Sequence, residues 1–482
     1  MHFFLPSNAK FGEYMSDFDS TNPEQLSNSE KIPKGIWAWL WPFYGEEETK
    51  MRYLCLIFSC IIFSYSLLRP LKDTIFISFV GTGSLPWAKL MMIAILPFFM
   101  PIYNIINCAR RRSRATIIFA ISYGVICAAF ALILIHPSIG IRNTLTSPNR
   151  ILGWFFYGTM DFFSIAVVAS FWSMINSIST PKSAGRQYGF MVAASRGAGA
   201  ISSGLAAILL KSTLPSVVSV PVLLIACASS LFLCSKFIKD LFKTMPERLL
   251  TGYSDKRSEG EDKKPGLFSG LKIITKQPYA FGMFWLLCSF DLVSTLLNYR
   301  MHCLIAQKAA NCISGVGSYL FALTFIFQFL GFFLALFGTT SMLKWLGVRF
   351  GLLVTPVIIG ALSIGLMFSD SLLLISIIMT ALKALDYSVD IPVREMLFIP
   401  TTHEIQFQAK GWISSFGKTL SKTSGSLLNG ITRLGGAGSS LVSMAPIPIS
   451  VLWIATAFFV GKRYKQAIDN NELIDSCDAS TE

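Results

Sequence analysis

Apolar runs of membrane-crossing length follow one another almost without a break from residue 53 to residue 461, and no other property limits the possible folds as sharply. The runs cover 53–79, 86–108, 115–136, 151–178, 188–211, 216–236, 280–303, 314–341, 351–369, 371–398, 411–431 and 442–461. Each is near the roughly 20 residues that a helix needs to cross the hydrocarbon core. Within hydrocarbon every backbone N–H and C=O must be paired inside the segment, so such runs read as helices. With 53% hydrophobic and only 14% charged residues among 482, the composition is too apolar for a soluble domain. The expected fold is an all-α polytopic membrane protein of about twelve transmembrane helices.

Charge placement orients these runs. The net charge of +14 would suggest nucleic acid in a soluble protein, but here the basic residues cluster between runs. Arg110–Arg112 and Arg114, then Lys182 and Arg186, then 236–276, fall on one side if the runs alternate. Lys344 and Arg349, Lys410, and Lys462, Arg463 and Lys465 fall on the same side, which the positive-inside rule makes the cytoplasm. Both termini are expected there, and no nucleic acid is expected as a partner.

The connection at about 236–279, with its mixed-charge stretch 254–262, divides the chain into six runs and six. The expected organisation is a tail over 1–50, a six-helix half over 51–236, a cytoplasmic loop over 237–279, a second half over 280–461 and a tail over 462–482. Two parallel halves are a common transporter architecture. A weak echo supports it: each half has a small-residue helix carrying a cation, Ser195–Gly204 with Arg196 and Ser421–Ser426 with Lys422. Small residues let helix backbones approach closely in lipid. The first 50 residues lack the pattern of a cleavable signal, with Trp37, Trp39, Trp41 and Phe43 suited to the interface. The acidic end after Lys465 reads as disordered.

Ten cysteines at irregular spacings, most inside apolar runs and with no CxxC pair, read as small apolar residues. Four scattered histidines offer no metal-site spacing, so neither a metal nor a cofactor is expected. Gly411–Thr419 imitates a phosphate loop, but five residues separate its glycines where four are needed, and no strand precedes it.

Ionisable residues inside the runs carry the functional signal, because charge at bilayer depth is costly and marks pathways or sites. Arg69 and Asp73 are spaced i, i+4 and can pair on one helix face, leaving Lys72 to meet an anion. Snorkelling to headgroups is the alternative for Arg69 and Lys72. Lys383, Asp386, Asp390 and Arg394 form one stripe on a continuous helix, facing either a pathway or a structural ion-pair network. Asp161 and Asp291 stand alone in apolar runs and call for a cation on another helix; Arg196, Arg300, Lys418 and Lys422 are available. The cations outnumber the carboxylates, which favours an anion carrying several phosphates. A membrane enzyme acting on lipid-linked phosphates would need an acidic metal pair or a nucleophile with its base, and neither is evident. A receptor or scaffold leaves the charge stripes without a purpose.

At these residues the chain resembles the bacterial and plastid ADP/ATP translocase family. Arg69-Pro70-Leu71-Lys72-Asp73-Thr74 is similar to its first-helix motif, and Phe171-Trp172, Asn176, Ile178-Ser179-Thr180 and Ala184–Tyr188 follow its fourth-to-fifth helix stretch. Lys383–Ser388 with Arg394–Pro400 resembles the tenth-helix signature, and Lys410-Gly411 and Lys422–Ser426 the eleventh. The resemblance implies a major-facilitator-like fold, a nucleotide substrate, and transport roles for Lys72 and Lys422. It implies no enzyme activity and a bacterial cell membrane as the location; the chain is expected to act as a monomer. Two acids depart from the family pattern: Asp161 stands for a glutamate, and Asn298 replaces another, with Met301-His302 in place of a nearby Trp-Lys. The expected substrate-binding set is Arg69, Lys72, Asp73, Asp161, Arg196, Asn298, Lys383, Asp386 and Lys422. ATP/ADP exchange is the expected activity, with proton-coupled import of another nucleotide or phosphorylated anion as the alternative.

Overall fold

The computed structural model of the chain describes residues 45–107, 113–178, 181–246, 269–334, 339–368, 371–386, 390–398, 400–402, 405, 409, 412–434, 444–470, 472 and 474. The tryptophans of the N-terminal stretch, Arg110–Arg112, the stretch 254–262, and Lys410 with Gly411 lie outside these residues, as do the side chains of Lys182, Arg186 and Lys344. The described residues are almost wholly helical. Helices α1 to α7 cover Gly45–Phe79, Leu85–Asn107, Arg114–Ile135, Ile151–Asp161, Ala169–Ile178, Pro181–Lys211 and Ser216–Thr244. Then come α8 to α15: Ser269–Lys276, Pro278–Lys308, Ile313–Phe333, Thr339–Phe368, Leu372–Leu385, Ile391–Met396, Lys418–Leu434 and Pro446–Asp469.

Among the described residues, eight helices are long and apolar enough to cross a membrane, while Thr82–Leu96 and Leu372–Leu385 are shorter apolar stretches. Large apolar side chains such as Phe98, Leu132, Ile208 and Leu373 are exposed on the outside, as a hydrocarbon solvent allows. The first half is built on α1, which packs against α4, α6 and α7, with α3 against α7. In the second half α9 takes the same central place against α12, α14 and α15, with α11 against α15. The halves meet along α6 and α10, along α1 and α10, and along α2 and α14.

Several sequence expectations shift. The first helix starts at Gly45, inside the presumed tail, and buried Lys50 donates to the Ile178 carbonyl at 2.8 Å. The acidic end is ordered at its start: α15 runs to Asp469, and Ile474 exchanges backbone hydrogen bonds with Pro400 and Thr402 at 2.7 and 3.2 Å. The run 151–178 is not one regular helix, because a π-helical turn at Ser164–Val168 follows Asp161. In the run 371–398 the regular α-helix ends at Leu385, and Asp386 and Asp390 have π-helical geometry. A further π-helical turn, Ile413–Gly417, leads into α14. Wide turns of this kind are frequent at functional sites, and none carries a periodic apolar signature that would reveal it in sequence.

The small residues of α6 serve the seam between halves. A Cβ on Gly199 would stand 2.7 Å from Ser66 Oγ and 2.8 Å from Gln328 Nε2, so α1, α6 and α10 converge there. Gly425 of α14 instead lies against Thr295 of α9. Gly199→Val is expected to lower stability by about 1–3 kcal/mol through overpacking. Gly197→Ala, whose Cβ would meet Phe332 at an ordinary 3.7 Å, is expected to be near neutral. Thermal melting of the detergent-solubilised variants checks both.

Candidate functional site

Lys72 is buried on α1 and turned into the interior. Its ammonium lies 3.0 Å from Asp73 Oδ1, 3.1 Å from Asp161 Oδ1 and 4.0 Å above the centre of the Tyr157 ring. Two carboxylates from α1 and α4 thus share one cation, and an aromatic face closes over it. The carboxylates offset the desolvation of the lysine, which would otherwise be several kcal/mol. The two acids differ: the Asp73 side chain is 15% exposed, that of Asp161 41%. Asp161 is therefore the end of the triad that solvent or a ligand can reach.

Asp73 also faces the other half. His302 Nε2 of α9 stands 3.9 Å from Asp73 Oδ2, and the buried His302 Nδ1 has no hydrogen-bond partner. Asn298, one turn earlier on α9, makes no hydrogen bond among the described residues. The expected pair between Arg69 and Asp73 is not the one formed. Asp73 is taken by Lys72 and approached by His302, while the exposed Arg69 donates to the Tyr65 hydroxyl at 3.2 Å. Lys422 is exposed on α14, without an ion pair among the described residues.

Arg196 also finds a different partner from the ones expected. Its Nη1 donates to Gln328 Oε1 at 2.7 Å, and Gln328 Nε2 donates to Ser66 Oγ at 2.6 Å. This buried polar chain ties α6, α10 and α1 together across the seam. Pro70 lies one turn beyond Ser66 in α1 and has no N–H to give the Ser66 carbonyl.

Lys383 and Asp386 sit in a second cluster, farther toward the N-terminal end of α9. Arg394 Nη2 donates to Asp386 Oδ1 at 2.6 Å, and Thr355 Oγ1 donates to Asp390 Oδ1 at 2.9 Å. The Phe290 ring carries the Arg394 guanidinium at 5.3 Å and the Lys383 ammonium at 5.6 Å. Lys383 Nζ also reaches Ser294 Oγ at 3.4 Å. Asp291 Oδ2 is buried without a hydrogen-bond partner, although its charge acts on Arg394. This network brings together side chains of α9, α11, α12 and α13 and the two acids between α12 and α13. Sequence reasoning missed Tyr157, Gln328 and Lys89; only Lys89, a lone cation in the run 86–108, left any trace there.

Charged groups gathered inside a bundle of membrane-length apolar helices, with large apolar side chains on the outside, define a multi-pass membrane protein. Solved structures share that fold. A D-xylose-proton symporter superposes with a TM-score of 0.55 at 10% identity, over 90% of this chain and 99% of that one. A bacterial homologue of the lysosomal transporter Spinster, inward-facing and unoccupied, gives 0.53 at 13% identity, over 88% and 98%. The chain belongs to the TLC ATP/ADP transporter family, which it matches over residues 26–464. ADP,ATP carrier protein 1 of Chlamydia trachomatis is 24% identical over 495 positions, covering 89% of this chain and 91% of the relative. ADP,ATP carrier protein 4 of Rickettsia bellii is 26% identical over 173 positions, 31% of this chain and 32% of the relative.

If the second cluster is structural, breaking it at its only guanidinium should be costly. Arg394→Met is expected to destabilise by about 3–5 kcal/mol, because it strands buried carboxylates. Adding Asp386→Asn should recover part of that loss, and a double-mutant cycle on thermal unfolding measures the coupling.

Proposed function

We propose that the chain exchanges ATP and ADP across a bacterial cell membrane, with Lys72 and Lys422 neutralising phosphates and two six-helix halves alternating access. The observation that carries this reading is the buried Lys72 ammonium held between Asp73 and Asp161, in a chain of the ATP/ADP transporter family. An empty site that satisfies its own lysine with carboxylates has a built-in competitor for phosphate. A nucleotide phosphate displaces Asp161, the more exposed acid, and departs when the carboxylate returns. Binding can then be selective without becoming too tight for release.

Each half has a central helix, α1 or α9, and the Asp73–His302 approach joins the two. Rocking of the halves would open and close that approach around a fixed site. On this reading twelve helices cross the bilayer, both termini are cytoplasmic, and the chain works as a monomer. Asn298 and Arg196 line the route; Arg196 acts through its bond to Gln328 at the seam. Exchange of nucleotides of unequal charge responds to membrane potential, since one charge crossing is worth about 2.3 kcal/mol per 100 mV.

A second reading, proton-coupled import of a nucleotide, draws on one feature: from α9 the group that faces Asp73 is a histidine rather than a permanent cation. Uptake of radiolabelled ATP and ADP into cells expressing the chain, and efflux from preloaded cells on adding external ADP, tests both. Exchange predicts efflux that depends on external nucleotide; proton coupling predicts accumulation driven by an imposed pH gradient. Lys72→Met should cut transport at least tenfold, the loss of about 1.4 kcal/mol or more of charge-assisted binding. No uptake of any nucleotide by the wild-type chain would remove the assignment.

A further inference from the structure

The first turn of α2 holds a cation that the site described so far does not use. Lys89 lies in the apolar helix Leu85–Asn107, half-buried. Its neighbours fix where that turn sits. Pro86 and Trp87 line the space beside Gly430 of α14, in the second half, and Met92 lines the space beside Gly158 of α4, in the first. Lys89 therefore occupies the wedge where α2 meets both the helix of Asp161 and the helix of Lys422.

Its electrostatic surroundings agree. The charges acting on Lys89 are those of Asp73, Lys72, Lys422 and Asp161, the members of the site. Yet Lys89 makes no hydrogen bond or ion pair among the described residues, and both carboxylates are already engaged by Lys72. Three ammonium groups and two carboxylates share one partly dehydrated region. Among the described residues the excess positive charge has no ion-pair partner, and an ionisable group in an apolar run that lacks one points to a ligand. Two of the ammoniums, Lys89 on α2 and Lys422 on α14, come from opposite halves.

We propose that Lys89 is a phosphate-binding residue of this site, paired with Lys422 across the seam to hold the chain of phosphates of a nucleoside di- or triphosphate. The inference rests on reading the Lys72 site as a nucleotide site. Lys72, neutralised internally, is the cation that must be released before it binds; Lys89 and Lys422 are ready in the empty protein. A ligand with two or more phosphates can reach ammoniums on both halves at once, so this pair makes occupancy depend on phosphate number.

The test uses the full chain reconstituted in proteoliposomes, with initial rates of labelled ATP and ADP uptake. Lys89→Gln and Lys89→Met are expected to raise KM for both nucleotides roughly tenfold or more, with maximal rate and melting temperature close to wild type. Lys89→Arg, which keeps the charge, is expected to stay within about threefold of wild-type KM. Methionine keeps the aliphatic length in an apolar lining, so the result does not hang on glutamine being accommodated. Wild-type KM in both neutral variants would overturn the inference while leaving the nucleotide site standing, and so would a fall in maximal rate with KM unchanged. A wild-type chain that transports neither nucleotide would remove the site assignment first and this inference with it.

Discussion

An ammonium group held away from water between helices is tolerable only with negative charge beside it, and Lys72 is where this chain meets that constraint. The groups that satisfy it come from separate elements: Asp73 from α1, Asp161 and Tyr157 from α4. Their positions require α1 and α4 to approach closely, and α4 gives up its regular geometry immediately after Asp161 in a π-helical turn. The helical break and the ion triad belong to one solution. A carboxylate at the end of a regular segment can be aimed independently of the helix that continues beyond it.

The second half repeats the device with a different outcome. Its corresponding run also leaves regular α-helix beside a carboxylate, with Asp386 in π-helical geometry directly after α12. There the acid meets Arg394, while Asp390 is held by a threonine hydroxyl. A guanidinium holds carboxylates through a rigid planar fork, whereas an ammonium is a point charge whose partners exchange more readily. The first-half cluster is therefore suited to being opened by a ligand, and the second-half cluster to fastening helices. That difference separates two sets of intramembrane charge that look alike in composition.

Hydropathy made the helices legible because a bilayer leaves the backbone few alternatives, and the lysines and acids inside the runs were legible because such residues are costly there. What could not be read was which partner each charge would take. Helical spacing alone favoured Arg69 with Asp73, but Lys72, adjacent in sequence, reaches Asp73 through its long side chain, and Arg69 turns to Tyr65. Arg196 takes a neutral glutamine from another half, a choice that only tertiary packing decides. Lys89 sits near a helix end, where a lone lysine ordinarily reads as snorkelling to headgroups. Ile474 is placed by backbone hydrogen bonds with Pro400 and Thr402, partners distant in sequence that no local pattern announces.

The departures from the family pattern at α9 look different once their positions are known. On the resemblance drawn from the sequence, Asn298 stands for a glutamate and His302 for a lysine, and the two are one turn apart on the same helix. Removing an acid and a permanent cation together leaves the charge balance of the site unchanged when the histidine is neutral. One of the replacements alone would have altered the net field that a polyphosphate meets; both together alter only local polarity. The cations counted on for phosphate, Lys72 and Lys422, lie on other helices and are untouched. Under the proposed nucleotide reading, the paired change leaves the charge that a phosphate meets as it was, and the difference falls on how Asp73 is met from α9.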